Sequence, residues 1–277
     1  MGAFGDLARI NTNVQSLDAL NRLYRTNGSL GMRQLRLATG SRINRAEDDS
    51  AGYSISRKLE SRLRGQAQAL ANIGDAKSML NVAEGSLNTI MDILGTMKEK
   101  IIQGGNDTLG SDERTLIKSQ LNALSTEINS IISSTLFISR SIFTSSALTF
   151  MVGPSSNNLF SVSVGALDSA SLGVASTSLN VSSAASATSS LGGIDRSIQT
   201  IASLMAGLGN AQKALSFREE NVSTQIISNE SARSRIADAD FAKEQMEIAK
   251  LQILQQTGIN ALVNSNLAPQ AILALLQ

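Results

Sequence analysis

The sequence predicts a mainly α-helical chain, an elongated antiparallel helical bundle or coiled coil drawn from both chain ends, with a small β-hairpin region in the middle. Three observations predict it. Apolar residues recur at alternating three- and four-residue spacings through residues 11–133 and again from Ile194 onward, which is the period of one helix face. Aromatic residues make up only 3% of the chain and Trp is absent, so the apolar content is aliphatic and suits long helices packed along their length. Between the helical stretches, residues 136–193 turn to Ser, Thr and Gly. The two ends can pair only if the chain doubles back there.

The first helix is expected over residues 11–38, with Leu20, Leu23, Leu30 and Leu37 on one seam and Val14, Leu17, Tyr24 and Leu35 beside it. A polar connector follows, residues 39–50, ending in an acidic N-cap, Asp48 or Asp49, for the next helix. That helix carries the longest seam: Leu59, Leu63, Leu70, Ile73, Leu80, Leu87, Met91, Leu94 and Ile101, the pattern of coiled-coil packing. Gly104-Gly105-Asn106-Asp107 stops it. A shorter helix, residues 111–133, turns Leu116, Ile117, Leu121, Leu124, Ile128 and Ile131 inward. Residues 148–152 and 160–164 alternate apolar with other side chains around Gly153-Pro154-Ser155-Ser156-Asn157-Asn158, which predicts a β-hairpin. Residues 172–190 are too poor in large side chains to build a core of their own and are expected to be a linker or exposed loop. Helical spacing returns at Ile194, Ile198, Ile201, Met205, Leu208, Leu215, Val222 and Ile226 and runs on to the end of the chain.

Composition removes whole classes of function. A net charge of +1 gives no electrostatic basis for nucleic-acid binding. Without Cys there are no disulfides, thiol nucleophiles or thiolate metal sites, and without His there are no zincin motifs or His-based triads. Most enzyme readings lose their chemistry here, and no enzyme activity, metal site or cofactor is expected. The N-terminal residues show neither a basic nor an apolar region of a cleaved signal peptide. Stable membrane insertion is not expected either, because the best candidate, residues 256–276, is broken by Asn260, Asn264, Asn266, Pro269 and Gln270.

Residues 251–277 contain no ionisable side chain, yet eleven of them are large aliphatics. Chain ends normally fray into water, so this segment is expected to be disordered or marginal alone and to fold when partner surface covers it.

Two passages are more specific than periodicity. One runs from Arg36 to Gly52 and contains Leu37-Ala38-Thr39-Gly40-Ser41-Arg42-Ile43-Asn44-Arg45-Ala46-Glu47-Asp48-Asp49. The other contains Ser231-Ala232-Arg233-Ser234-Arg235-Ile236-Ala237-Asp238-Ala239-Asp240-Phe241, then Gln255-Gln256-Thr257-Gly258 and Asn266-Leu267-Ala268-Pro269-Gln270. With Ile10-Asn11-Thr12-Asn13, these closely resemble bacterial flagellin, over residues 10–135 and 190–277. The resemblance implies a filament subunit, exported unfolded through the flagellar type III channel and assembled outside the cell as a homopolymer. It implies that residues 1–45 and 237–277 form a discontinuous terminal helical unit lining the filament channel. Residues 46–236 then form the bundle, with the hairpin and a short insert at 136–193 where the family's large outer domains would stand. Other flagellin subunits, an export chaperone, and cap and junction proteins are the partners it suggests. A hook-filament junction protein and an export-linked helical effector are the alternatives.

The expected assembly contacts are Leu17, Leu20, Leu23, Leu30, Phe241, Ile248, Leu251, Leu254, Leu262, Leu273 and Leu276. The resemblance places the charged connectors, with Arg42, Asn44, Asp48, Asp49, Arg233 and Arg235, where the terminal and bundle regions meet, and Arg233 or Arg235 is expected to pair with Asp48 or Asp49. Residues 94–106 resemble the stretch by which an animal toll-like receptor senses flagellins. Lys98, Glu99, Gln103 and Asn106 fit that pattern, while Thr96 replaces its Arg and Lys100 its Leu. Weak or absent receptor activation follows, since Thr has no guanidinium fork and a cation removes apolar contact. The family's Asn-Gly turn is also missing after Phe137, where Ile138 and Ser139 stand.

Overall fold

The computed structural model describes residues 12–275, with side chains described to residue 267; the Ile10-Asn11 part of the motif and Leu276 lie outside. Five helices carry the chain: α1 (Val14–Thr39), α2 (Ser50–Gly104), α3 (Ser111–Ser134), α4 (Ala184–Ala237) and α5 (Phe241–Leu275). Two antiparallel strand pairs lie between α3 and α4: β1 (Leu136–Phe137) with β2 (Arg140–Ser141), and β3 (Leu148–Met151) with β4 (Leu159–Val162). The chain divides into two compact units, residues 1–61 with 228–277 and residues 62–227. This division lies farther from the chain ends than the expected boundaries at 45 and 237. The connector is tied to the terminal unit by its backbone: Arg42 N–H donates to the Ala237 carbonyl at 2.6 Å, Ala239 N–H to that of Gly40 at 2.9 Å, and Ser41 bridges Asp238.

The unit of residues 62–227 is a coiled-coil bundle with a strict heptad. Ile73, Leu80, Leu87, Leu94 and Ile101 of α2 are buried at sevenfold spacing, with Ala76, Ala83, Ile90 and Met97 each three residues on. Ile194, Ile201, Leu208, Leu215 and Val222 of α4 repeat the same interval. A sustained seven-residue repeat keeps one seam facing its partner. Lys77–Glu219 and Lys98–Asp195 pairs, at 2.8 and 2.7 Å, flank the seam and run antiparallel. Helix α3 packs Ile117, Leu121, Ile128 and Ile132 inward. Leu116, expected inward, points to solvent, because the buried face is set by Ile117 and Leu121, a helical turn apart, and Leu116 lies one residue off that stripe.

The β3–β4 register pairs Leu148 with Val162 and Met151 with Leu159, which faces Leu148 and Val162 into the core and leaves Met151 and Leu159 outside. Residues 172–190 are not the exposed linker their composition suggests. Leu172, Val174, Leu179 and Val181 are all buried against the helices, and α4 begins at Ala184, ten residues before the apolar spacing reveals it. Few large side chains suffice there because each drops into a groove that the helices already provide.

Candidate functional site

Helices α1 and α5 pair antiparallel in the terminal unit. Asn13, the N-cap of α1, donates from Nδ2 to the Ser265 carbonyl at 2.8 Å, and Gln255 donates from Nε2 to Asn27 Oδ1 at 2.9 Å. The covered positions alternate by three and four: Ser16, Ala19, Leu23, Thr26, Leu30, Arg33 and Leu37 on α1, and Glu244, Ile248, Leu251, Gln255, Gly258, Leu262 and Ser265 on α5. Nearly half of this seam is polar or charged. Only Leu30, Glu244 and Ile248 are fully buried in it.

Much of the apolar content of the pair instead faces outward. Leu17 is 52% exposed, Leu20 36%, Phe241 63% and Leu254 47%, and Val14, Tyr24, Met32, Leu35, Met246, Ile253, Ile259, Val263 and Leu267 join them. Soluble helix pairs bury the apolar stripe and show the polar one. Here large apolar side chains stand on the outer face as well as in the seam, and exposed apolar surface on this scale is characteristic of interaction sites. Of the expected assembly residues, Leu17, Leu20, Phe241 and Leu254 lie on this surface, and Leu23, Leu251 and Leu262 are half-covered at the seam. Leu30 and Ile248 are enclosed by their own chain and hold the pair together. Leu273 is in α5 with its side chain outside the described residues, as is all of Leu276.

At the junction, charge pairing departs from expectation. Arg233 pairs with Glu230 one turn back on its own helix, at 2.5 Å, and Arg235 is exposed. Asp49 caps α2, accepting from Gly52 N–H at 2.9 Å. Asp48 Oδ2 accepts from the N–H groups of Asn44 and Arg45 at 3.0 and 2.9 Å, and its Oδ1 lies 3.9 Å from Arg36. The Arg45 and Asn44 amides, aided by Arg36, hold the Asp48 carboxyl below its ordinary value of 3.8. Neighbouring backbone amides satisfy this carboxylate better than a long Arg side chain reaching from α4. Arg42 binds backbone, donating from Nη2 to the Ile236 carbonyl at 2.6 Å, and Asn44 closes the connector onto the Ser41 carbonyl at 2.9 Å.

The network that does cross between elements was not foreseen. Glu244 of α5 is buried, and both of its oxygens accept from Arg33 Nη1 at 2.9 Å; Arg36 stands at 3.8 Å and links this carboxylate to Asp48. Its sequence signal is a charge at a seam position on each helix, Arg33 and Glu244, which becomes legible once the antiparallel register is known.

In the receptor-like segment the polar groups are engaged nearby. Lys98 holds Asp195, Lys100 donates to Gln103 Oε1 at 3.3 Å, and Thr96 Oγ1 donates to the Asp92 carbonyl at 3.1 Å. Glu99 and Gln103 face solvent, and Asn106 caps the turn that Arg114 clamps. At the β1–β2 turn, Ile138 and Ser139 have φ of 48° and 64°. A two-residue hairpin of this hand requires positive φ twice, and each L-residue there costs about 1–2 kcal/mol. Among the described residues no three acidic side chains gather as a metal site, and no helix is long and apolar enough to cross a membrane.

Residues 10–147 match the family described as the bacterial flagellin N-terminal helical region, and residues 191–276 match the bacterial flagellin C-terminal helical region. The chain is 30% identical to the flagellar filament 33 kDa core protein of Treponema phagedenis, over 97% of this chain and 99% of that one. It is 31% identical, with the same coverage, to a flagellin of Halalkalibacterium halodurans. Among solved structures, a protein described as flagellar hook-associated, from Vibrio parahaemolyticus, superposes with a TM-score of 0.54 at 16% identity, over 69% of this chain and 100% of the other. That last likeness is one of fold.

Proposed function

The chain belongs to the bacterial flagellin family, and from that premise we propose that it is a structural subunit of the flagellar filament, working outside the cell by polymerising with copies of itself. The observation that carries the reading is the outward apolar face of the helix pair: α1 and α5 meet through a seam that is nearly half polar and turn Leu17, Leu20, Phe241 and Leu254 outward. Neighbouring copies are the natural cover, because an outward apolar face on every copy is buried only by repetition of the same contact. Near full-length similarity to filament core proteins favours this over a junction protein. Export in an unfolded state through the flagellar type III apparatus is the route we infer, with a chaperone, cap and junction proteins as transient partners. The terminal helices would then fold on arrival, and receptor signalling through Thr96 to Asn106 would be weak.

Salting out purified protein onto short filament seeds, followed by electron microscopy, tests the reading. The full chain should elongate the seeds, and a chain lacking residues 241–277 should stay soluble. Growth of the truncated chain at the same rate would overturn the role given to α5. Leu17→Glu with Leu254→Glu should raise the protein concentration left in equilibrium with filaments by roughly tenfold or more, since each places a charge in an apolar contact.

A further inference from the structure

Asn27-Gly28 is the one Asn-Gly pair in the chain; every other Asn is followed by a residue with a side chain. The difference is chemical. The backbone nitrogen after an Asn can attack the side-chain amide carbon, and Gly alone brings no Cβ to hinder it, which makes this pair the most labile amide of an unstructured chain.

The pair lies in the middle of α1, inside the terminal unit. A helix protects it, because the Gly28 N–H is committed to the carbonyl one turn back and the fixed backbone keeps that nitrogen off the Asn27 side chain. Asn27 is exposed, yet its Oδ1 accepts from Gln255 Nε2 of α5 at 2.9 Å. Protection therefore lasts as long as α1 stays helical and paired with α5. The helix is weak at this point. Gly28 and Gly31 stand one turn apart, neither has a positive φ, and a Cβ on either would meet nothing within 4 Å. Ala would fit at both and hold the helix better, so neither packing nor turn geometry accounts for the two glycines. The seam with α5 is nearly half polar and buries few side chains fully, so α1 opens readily in an isolated chain.

We propose that Asn27 is a site of spontaneous conversion to aspartate and isoaspartate, gated by the folding of α1 and switched off by assembly; the role of assembly rests on the filament reading. When α1 opens, the Gly28 nitrogen bonds to Asn27 Cγ, the Nδ2 group leaves as ammonia carrying the Gly28 proton, and a succinimide ring closes. One water molecule then opens the ring. Opening at the side-chain carbonyl gives aspartate. Opening at the backbone carbonyl gives isoaspartate, in which the main chain runs through the former side chain and gains one methylene. That extra atom breaks the hydrogen-bond ladder of α1 just before Leu30 and before Arg33, whose guanidinium holds Glu244 of α5. A chain left unassembled is thereby retired from polymerisation.

Trypsin makes the site readable, since cleavage after Arg25 and Arg33 releases residues 26–33, in which Asn27 carries the one side-chain amide. The full chain is aged in one buffer with and without filament seeds, and the acid forms of this peptide are separated by mass spectrometry. Conversion should be at least about tenfold faster in monomer than in filaments, and about tenfold slower in monomeric Gly28→Ala than in the parent. When seeds are added to aged monomer, the isoaspartate peptide should remain in the unpolymerised fraction, enriched about tenfold over the filaments. Conversion in the monomer no faster than at Asn129, which precedes Ser130 inside α3, would overturn the site. Equal rates in monomer and filament, or modified chains that polymerise like unmodified ones, would overturn the gating and its consequence. A parent chain that fails to elongate seeds while Asn27 still converts would overturn the filament reading and leave the site standing.

Discussion

At the scale of single residues, Glu244 holds the terminal helix pair. Its carboxylate is enclosed between Arg33 and Arg36, so Glu244→Gln leaves two guanidinium groups facing an amide that cannot accept as strongly. Loss of a largely buried charged hydrogen bond costs about 2 kcal/mol. The concentration of subunit in equilibrium with filaments should rise about 30-fold, read by sedimentation. Asp48 adds a pH dependence. Its carboxyl titrates below 3.8, held there by the Arg45 and Asn44 amides, so its contribution is whole above the unfolded value and is lost as pH falls through the lower folded value. Asp48→Asn removes that contribution at every pH. Filaments of the variant should be weaker near neutrality and should lose less than the parent as pH falls below about 4. What is legible in sequence at this scale is local: an acidic cap at Asp48 or Asp49, of which Asp49 takes the role, and the missing Asn-Gly turn at Ile138. The Arg33–Glu244 pair spans 211 positions and depends on helix register, which one sequence does not reveal.

At the scale of elements, the heptads of α2 and α4 were readable because their spacing is strict and their side chains large. Leu87→Ala should remove about 2–5 kcal/mol from the unit of residues 62–227, whereas Leu116→Ala, on the exposed face of α3, should change it by less than about 0.5 kcal/mol. Urea unfolding of the two variants separates the faces that periodicity alone placed together. The same reasoning failed for residues 172–190, where Val174 and Val181 are buried singly in grooves made by distant helices, so no local pattern announces them. It also could not rank the two faces of α1. Leu30 and Leu17 are both expected assembly contacts in sequence, and only the antiparallel partner α5 decides that Leu30 is enclosed and Leu17 is left outside.

At the scale of the whole molecule, the two units differ in what completes them. The unit of residues 62–227 closes a continuous core from Ile73 to Val222 with its own side chains. Among its described residues the terminal unit buries few large apolar side chains beyond Leu30, Ile43 and Ile248, half-covers Leu23, Leu37, Leu251 and Leu262, and exposes many others. Local stability follows enclosed apolar contact, so the two should open with very different free energies in an isolated chain. Hydrogen exchange on the monomer should show slow amides around Leu80, Leu87 and Leu208 and near-complete early exchange through α5 beyond Leu251. On assembly, α1 and α5 should gain protection by several orders of magnitude while the bundle amides change little, because only the former acquire cover from neighbours. An α5 equally protected in the monomer would mean that its outward leucines do not need other copies, and the assembly role assigned to them would fail.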